Sequence, residues 1–428
     1  MKKLTLVIFV FLLVGSLAWA GGNRAVSGND VQTLRVLSVY TPDHSVGPMV
    51  DVINARFAEK YPNIRIEMQT MPSDNLESVL RTDFETGNPP AVFQVWTNNQ
   101  NLSFIEAGRW LDLNQILNSD TEWRDGFHGG ALDAHRYGTD GIWGLPQASF
   151  ALGIYYNKEL FRRAGIVDVP KTIDDLLNVS QRLQTIDGVV PMVFGNLTAW
   201  RSVHLFGATF YKLHGTERAF DFANRTVRHD SNEIIETYEY MQMLAASGLF
   251  GRDFIGLEYA DEVSLFNEGR AAMRFSGTWT LGEVSESLDV GFFPFPYFAD
   301  RPQFRDDWFA GYAEGWAVSS GLSPALEQAA IDYVRLWTGA DGMKAFAEVA
   351  RNIPAGAAEV DAEKTGELFA TVVEKMSSIG ASLADFAAPE INPAVAEQIV
   401  TNAQAILAGA VTPVEAAARL QATVGAGR

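Results

Sequence analysis

Residues 265–284 read LFNEGRAAMRFSGTWTLGEV, and this stretch says more about the role of this chain than any other twenty residues. Its first two residues are typical of the apolar end of a helix, which Gly269 stops. Residues 271–275 predict a short buried strand, after which Gly277 turns the chain into a new helix. Trp279 lies in the first turn of that helix, where backbone N–H groups are free and a large ring can line a cleft. The alternative is a plain turn at Gly277 with Trp279 in the core.

The chain upstream of this stretch alternates strands with helices. Apolar periodicity predicts strands at residues 34–40, 64–68 and 91–96, and helices at residues 47–60 and 74–86. Strands that alternate with helices in this way predict a parallel α/β sheet with right-handed crossovers.

Caps and periodicity predict further elements in the remainder of the chain. Thr172 and Asp175 have the spacing of a capping box, and Thr412 and Glu415 repeat it before the last helix. The other predicted elements are a strand at 151–156, a helix from Asn157 to near Gly165, helices at 232–246 and 323–338, and a second crossing strand at 306–318.

The N-terminus has the features of an export signal. Lys2 and Lys3 precede an apolar run, and an Ala-Trp-Ala cleavage pattern ends at Ala20, so residues 1–20 are expected to be a cleaved signal peptide. The chain contains no cysteine, which excludes disulfides and lipid attachment at Gly21. The sequence therefore predicts a periplasmic protein that is not lipid-anchored.

Composition excludes several functional classes. The net charge of −19 argues against binding to nucleic acid or to anionic lipid. The six histidines lack metal-ligand spacing, so neither a metal nor another cofactor is expected. The motifs of serine hydrolases, P-loop enzymes, zinc proteases and dinucleotide-binding enzymes are missing, and we expect no enzyme activity.

Five motifs together resemble one protein family. The pattern F-x-x-G-x-A-A-M-x-x-x-G-x-W from Phe266 to Trp279 resembles the signature of the family 1 extracellular solute-binding proteins of ABC importers, the group that contains maltose-binding protein. Residues 87–114, 144–166, 317–355 and 406–421 resemble further family motifs, in the family's order along the chain. Ala91 departs from the pattern, since the family commonly has Asp at this position.

The resemblance implies an α/β fold of the type II periplasmic-binding-protein class, with two three-layer α/β/α lobes joined by hinge strands. The expected units are an N-lobe at 30–148 and 312–350, a C-lobe at 153–307 and 354–428, and hinges at 149–152, 308–311 and 351–353. It also implies a monomer that captures a mono- or oligosaccharide between the lobes and delivers it to the transmembrane subunits of an ABC permease.

A sugar site needs aromatic platforms for the apolar C–H faces and planar polar groups for the hydroxyls. In open α/β sheets such groups lie at the carboxyl ends of strands. The side chains that satisfy both conditions are Asp43, His44, Trp96, Asn98, Asn99, Trp200, Trp308, Tyr312 and Glu314.

The resemblance adds four residues to these candidates. It implies that Trp279 stacks on the sugar, with Gly277 in the same motif, that Gln147 makes a polar contact near the crossover, and that Arg351 lies near the closing edge. It also implies that the loop holding Asn98 and Asn99 binds hydroxyls, although the family has a more acidic pair there.

Alternative functions remain open at this level. The same fold could bind a polyamine or another cationic solute, or the chain could be an exported carbohydrate-active enzyme, which needs only two carboxylates brought together in space. Five tryptophans are expected to be packing residues: Trp110, Trp123, Trp143, Trp316 and Trp337.

Overall fold

A computed structural model describes residues 31–97, 102–197, 200–223, 227–312, 314–377, 379 and 393–426. Within them the chain forms two β-sheets, each with its own helices and hydrophobic core. Residues 1–20, which the sequence predicts to be a signal peptide, lie outside the described residues.

The first sheet has five strands in the order β2-β1-β3-β10-β4. Their bounds are β1 Gln32–Ser38, β2 Ile64–Thr70, β3 Val92–Trp96, β4 Leu145–Pro146 and β10 Glu314–Val318. β1 is parallel to β2 and β3, as the alternation of strands and helices predicts, and β10 is antiparallel to β3 with Glu314 opposite Trp96. The carboxyl ends of β1 and β3 therefore share an edge with the amino end of β10.

Helices from two separate parts of the chain cover this sheet. Its core contains side chains of the early helices together with Tyr333, Trp337 and Phe346 from the late ones. The helices are α1 Gly47–Lys60, α2 Ser73–Glu85, α3 Leu102–Glu106, α4 Asn114–Ser119, α5 Thr121–Asp125, α11 Pro324–Thr338 and α12 Ala340–Glu348.

The second sheet has the order β6-β7-β5-β8, and β9 extends β5. The bounds are β5 Ser149–Asn157, β6 Val190–Val193, β7 Ala271–Gly277, β8 Val290–Pro294 and β9 Ala310–Tyr312. β7 is parallel to β6 and antiparallel to β5, with Gly277 opposite Leu152. One edge of this sheet therefore carries the carboxyl ends of β6 and β7 and the amino half of β5.

Eight other α-helices among the described residues belong to the second sheet. The last two contribute Val395, Ile399 and Leu420 to the same core as β5 and β7. The helices are α6 Lys158–Arg163, α7 Ile173–Leu183, α8 Trp200–Ala223, α9 Asn232–Ala246, α10 Tyr259–Asn267, α13 Ala362–Met376, α14 Pro393–Leu407 and α15 Pro413–Ala426.

Three chain segments run side by side between the two sheets. The Ser149 N–H donates to the carbonyl of Ile353 at 2.9 Å, and the Leu152 N–H donates to the carbonyl of Phe309 at 3.0 Å. Ser149 also pairs with Tyr312 across β5 and β9. These backbone contacts bring the two sheet edges described above next to each other.

The predicted helix starts are confirmed where local capping decides them. The hydroxyl of Thr172 accepts from the Asp175 N–H at 3.1 Å, and the carboxylate of Asp175 accepts from the Thr172 N–H at 3.0 Å. Thr412 and Glu415 make the same reciprocal pair at α15.

One predicted element is wrong. Residues 306–318 do not form a single strand, because β9 pairs with β5 while β10 pairs with β3 and β4 of the other sheet. The segment divides because its first part extends one sheet and its second part belongs to the other. Among the described residues, no helix combines the length and apolar character that crossing a bilayer requires.

Candidate functional site

Trp279 lies directly after β7, in a short 3-10 helix at Thr278–Gly282. The indole ring folds back over Gly277, where a Cβ atom would lie 2.1 Å from Cζ3 of the ring. Glycine is therefore required at this position so that the ring can approach the backbone. The G-x-W pattern has this close contact as its physical basis.

Five side chains form an aromatic cluster with this ring: Phe150, Trp200, His204, Tyr259 and Phe309. The ring centroid of Trp279 lies 6.2 Å from that of Trp200 and 5.6 Å from that of His204. Trp200 and Trp279 are partly exposed, whereas Phe150 and Phe309 are buried. The exposed indole faces are suited to contact an apolar ligand face.

His204 is electrically neutral within this cluster. Burial, together with the positive charge of Arg201, lowers the pKa of His204 to about 3. Because a neutral imidazole is a flat ring with one donor and one acceptor, His204 adds both stacking surface and hydrogen-bonding capacity. Sequence reasoning missed His204, although it follows Trp200 by four residues on one face of α8.

A buried charge network of four residues lies against the cluster: Arg201, Glu262, Arg274 and Glu283. Glu262 accepts from Arg201 at 2.9 Å and from Nε of Arg274 at 2.8 Å, and Arg274 also donates to Glu283 at 2.8 Å. The exposed side-chain fraction is 0% for Arg201 and Glu262 and 1% for Arg274. Two positive and two negative charges balance, which is the condition for keeping them buried.

Tyr259 joins the network to the cluster. The Trp279 Nε1–H donates to the Tyr259 hydroxyl at 2.9 Å, and that hydroxyl lies 2.9 Å from both carboxylate oxygens of Glu283. Burial, supported by the charge of Glu283, raises the pKa of Tyr259 above its usual value, although Arg274 opposes the rise. The hydroxyl therefore stays protonated and can donate to the carboxylate.

A polar group lies at the facing edge of the first sheet. The Tyr40 hydroxyl lies 2.8 Å from Oε1 of Glu314 and 3.1 Å from Oε1 of Gln147, which also accepts from Trp316 at 2.6 Å. Burial raises the pKa of Glu314 to about 7, although the hydrogen bond from Tyr40 opposes the rise. Glu314 is thus a partly buried carboxyl whose charge changes near neutral pH.

His44 lies between the two groups. Its ring centroid is 5.1 Å from that of Tyr40, on the side of the first sheet. Burial lowers the pKa of His44, while the carboxylate of Glu283, on the side of the second sheet, raises it. The loop that holds His44 also contacts the second sheet, because a Cβ atom at Gly282 would lie 2.8 Å from Cβ of Ser45. The polar group and the aromatic cluster therefore belong to neighbouring edges of the two sheets.

The structure places seven of the predicted residues in two groups. Gly277, Trp279 and Trp200 lie at one edge of the second sheet and in the helix starts beside it, and His44, Trp96, Gln147 and Glu314 lie at the edge of the first sheet. Asp43 is exposed next to His44. Tyr312 lies in a crossing segment, and its hydroxyl donates to the carbonyl of Gly129 at 3.2 Å. Asn98 and Asn99 lie outside the described residues.

Two predicted site residues lie elsewhere. Trp308 is only 3% exposed and packs against Phe292 in a separate part of the core, where Lys212 lies over its ring. Arg351 lies in a crossing segment and pairs with Glu286 at 2.7 Å. Sequence placed Trp308 beside Glu314 because one continuous strand was expected there, and the division into β9 and β10 removes that proximity.

The remaining tryptophans behave as packing residues. Trp110, Trp123, Trp316 and Trp337 are at most 5% exposed within the core of the first sheet, and Trp143 is partly buried against it. Among the residues that the structure describes, no cluster of three or more His, Asp or Glu side chains has the geometry of a metal site.

The sequence profile of the family described as "Bacterial extracellular solute-binding protein" matches residues 44–344. An uncharacterised ABC transporter extracellular-binding protein of Pyrococcus horikoshii is 26% identical over 276 residues, which cover 62% of this chain and 61% of that protein. The multiple sugar-binding protein of Streptococcus mutans is 21% identical, covering 69% and 70% of the two chains. The maltotriose-binding protein of Pyrococcus abyssi is 24% identical, covering 59% and 52%.

Solved structures show the same arrangement of elements over nearly the whole chain. A chitin oligosaccharide binding protein superimposes with a TM-score of 0.80 at 23% identity, covering 91% of this chain and 97% of that one. The maltose/maltodextrin-binding domain of Bdellovibrio bacteriovorus, bound to maltotriose, gives a TM-score of 0.72 at 18% identity, with 92% and 99% covered. At these identities the likeness concerns the fold.

Proposed function

Because this chain belongs to the bacterial extracellular solute-binding protein family, we propose that it is the substrate-binding component of an ABC importer and captures a mono- or oligosaccharide in a cleft between two lobes. Its two α/β sheets with their helices have the type II periplasmic-binding-protein fold, as the sequence predicts. The permease that receives the sugar would dock on the ligand-bound form.

The proposed lobes keep the boundaries expected from sequence: residues 30–148 with 312–350, and residues 153–307 with 354–428. The two cores support this division, because one draws on Leu34 and Trp337 and the other on Ile154 and Leu420. The proposed hinges are residues 149–152, 308–311 and 351–353, which include the side-by-side backbone contacts between the sheets.

One observation carries the proposal for the ligand class. Partly exposed Trp279 and Trp200 lie 6.2 Å apart on one side, and the polar side chains of Glu314 and His44 lie on the other. Indole faces contact the C–H faces of a sugar, while carboxylate and imidazole groups bind its hydroxyls. Relatives named for binding multiple sugars and maltotriose support the same ligand class.

The geometry also supports a mechanism for ligand capture. Only the closed arrangement lets side chains of both lobes touch one ligand, so the ligand favours closure by the difference between its affinities for the two states. The proposal involves no covalent step. It includes cleavage of the signal peptide and release of the protein into the periplasm. Delivery depends on a permease that recognises the closed form.

A cationic solute is the second candidate. Glu314, partly buried beside Tyr40, and exposed Asp43 could bind an amine, and the indole rings could contact a cation. This alternative predicts affinity that falls as salt concentration rises, because the attraction would be between opposite charges. A neutral sugar should show little dependence on salt.

The proposal is tested by thermal unfolding of the full chain against a panel of solutes. The panel contains maltotriose, chitin oligosaccharides, xylo-oligosaccharides, galactose, spermidine and Mg²⁺, and the solutes are recovered afterwards and examined for cleavage. A ligand at 100 times its Kd adds about 2.7 kcal/mol to the free energy of unfolding and raises the midpoint by a few degrees. We expect a rise with a sugar and no cleavage.

Trp279→Ala then tests the site with that sugar. We expect the variant to weaken binding by roughly 1–3 kcal/mol in isothermal titration calorimetry, because the stacking surface is lost. Trp143→Ala is the matched control, since Trp143 is also a partly buried tryptophan but lies against the core of the first sheet. Equal affinity of Trp279→Ala and wild type, a rise only with spermidine, or cleaved sugar would contradict the proposal.

A further inference from the structure

We propose that Tyr259 is a positioning residue for ligand binding: its hydroxyl fixes the plane of the Trp279 ring by connecting the indole to the buried charge network. The inference rests on the proposed function, because it takes Trp279 to be a platform for the ligand. It adds a residue outside the sequence motifs that carried the family resemblance, and it assigns to that residue a role that needs no ligand contact.

The hydroxyl of Tyr259 both donates to and accepts from its present partners. It has one hydrogen, which it donates to Glu283, with both carboxylate oxygens at 2.9 Å, and it accepts the Nε1–H of Trp279 at 2.9 Å. The indole has only this one N–H donor, so its polar edge is held at a single point. A hydroxyl that donates to a carboxylate is also a stronger acceptor for the indole, since hydrogen bonds in a chain polarise one another.

The far end of this chain of hydrogen bonds is rigid. Glu283 accepts from Arg274 at 2.8 Å, and Arg274 is held by Glu262, which also accepts from the Gly195 N–H at 2.5 Å. The side chains of Arg274 and Glu262 are almost completely buried. Charged groups buried in this way cannot move without losing partners, so the network gives Tyr259 a fixed anchor.

The ring itself needs such an anchor because its local support is weak. Trp279 lies in a 3-10 helix of five residues and is partly exposed, and its close contact with Gly277 is van der Waals packing without a directed bond. The surrounding rings make tilted or edge-on contacts with centroid distances of 5.6 to 6.2 Å, which restrict rotation less than a directed hydrogen bond does. Without the hydrogen bond, the entropy lost in ordering the ring would weaken ligand binding.

Tyr259 also sets the spacing of the second platform. Its ring centroid lies 5.4 Å from that of Trp200, and the guanidinium of Arg274 lies 5.1 Å above the Tyr259 ring on the network side. The phenol is therefore held between the network and both indoles. Phenylalanine at this position would keep the ring contacts and remove the two hydrogen bonds alone.

Tyr259→Phe is the test, and its first measurement requires no ligand. The indole N–H resonance of Trp279 is assigned in a ¹⁵N–¹H spectrum by its loss in Trp279→Phe. In Tyr259→Phe we expect this resonance to move and its exchange with water to quicken, because the N–H loses its acceptor. Tyr156→Phe, a partly buried tyrosine packed against Phe161 in the second core, should leave the resonance unchanged.

A double-mutant cycle separates positioning from direct contact with the ligand. The probe is the sugar of the panel that gives the largest rise in unfolding midpoint. We expect Tyr259→Phe to weaken its Kd about fivefold in the wild-type background, as loss of one net hydrogen bond does. In the Trp279→Ala background the same change should leave Kd unaltered, because Tyr259 acts through the indole.

The outcomes distinguish this inference from the proposed function. Equal weakening by Tyr259→Phe in both backgrounds would show that Tyr259 acts without Trp279, and an unmoved indole resonance would show that the hydrogen bond is absent. Either result overturns the positioning role and leaves the proposed function standing. A Trp279→Ala variant that binds the sugar as wild type would overturn both, whatever the indole resonance does.

Discussion

Glu262 has a central position among the side chains that support the site. It is fully buried, and its two carboxylate oxygens accept from Arg201, from Arg274 and from the Gly195 N–H. The two guanidinium groups would repel each other without it. At the residue scale, the aromatic cluster therefore depends on a carboxylate that no ligand reaches.

Glu262→Gln should strongly destabilise the protein. The amide removes one negative charge and replaces one acceptor with an N–H₂ group that faces guanidinium donors, which leaves a buried positive charge uncompensated. We expect the free energy of unfolding to fall by about 3–5 kcal/mol. Urea denaturation at neutral pH measures the change.

The control for this prediction is an ion pair at the surface. Glu268 pairs with Arg270 at 3.4 Å, and both side chains are more than half exposed. Glu268→Gln should therefore change the free energy of unfolding by less than about 1 kcal/mol. Similar effects of the two variants would mean that the buried pairing contributes nothing beyond a surface pair.

At the scale of elements, two helices contain a sharp internal break at glycine. In α8, Gly215 has φ 83° and ψ 169°, and in α13, Gly366 has φ 83° and ψ 171°. Side chains with a Cβ are strained in this conformation, so both positions require glycine for backbone reasons. Their surroundings differ, because a Cβ at Gly215 would lie 2.5 Å from Phe304, whereas nothing lies within 4 Å at Gly366.

This matched pair separates backbone strain from steric overlap. Gly366→Ala should cost roughly 1–3 kcal/mol of unfolding free energy, from strain alone. Gly215→Ala should cost about 1 kcal/mol or more beyond that, because the new methyl group must also displace the Phe304 ring. Chemical denaturation of both variants measures the difference, and equal losses would show that Phe304 moves without cost.

On the scale of the whole molecule, the proposed function requires the two lobes to move. The segments that connect the sheets are joined to each other by the backbone hydrogen bonds of Ser149 with Ile353 and of Leu152 with Phe309. Near them, Arg351 pairs with Glu286 at 2.7 Å with both side chains partly or largely exposed, so this ion pair adds little resistance to motion.

Ligand binding should therefore make the protein more compact. We expect the radius of gyration from small-angle X-ray scattering to fall when the sugar that raises the unfolding midpoint is added at saturation, because closure joins both lobes to one ligand. Trp279→Ala at the same sugar concentration should show a smaller decrease. A radius of gyration that does not change at saturation would contradict lobe closure.

The amino-acid sequence alone is enough to predict the features that depend on interactions within a few residues. Residues that cap α7 and α15, the helix at Gly47–Lys60 and the buried strand before Gly277 follow from hydrogen bonding and periodicity within a few residues. The family motifs, and with them the α/β class, are likewise properties of the linear chain. The proposal that Trp279 contacts the ligand started from the same local pattern.

Contacts between side chains that are distant in sequence depend on how the folded chain packs. Tyr259 and Glu283 flank β7 in sequence, yet their connection to Arg201 and Glu262 depends on how α8 and α10 pack beside that strand. The division of residues 306–318 between two sheets, which takes Trp308 away from Glu314, depends on strand pairing across more than 150 residues. Burial and pairing of charges are properties of the packed molecule, so no local pattern encodes them.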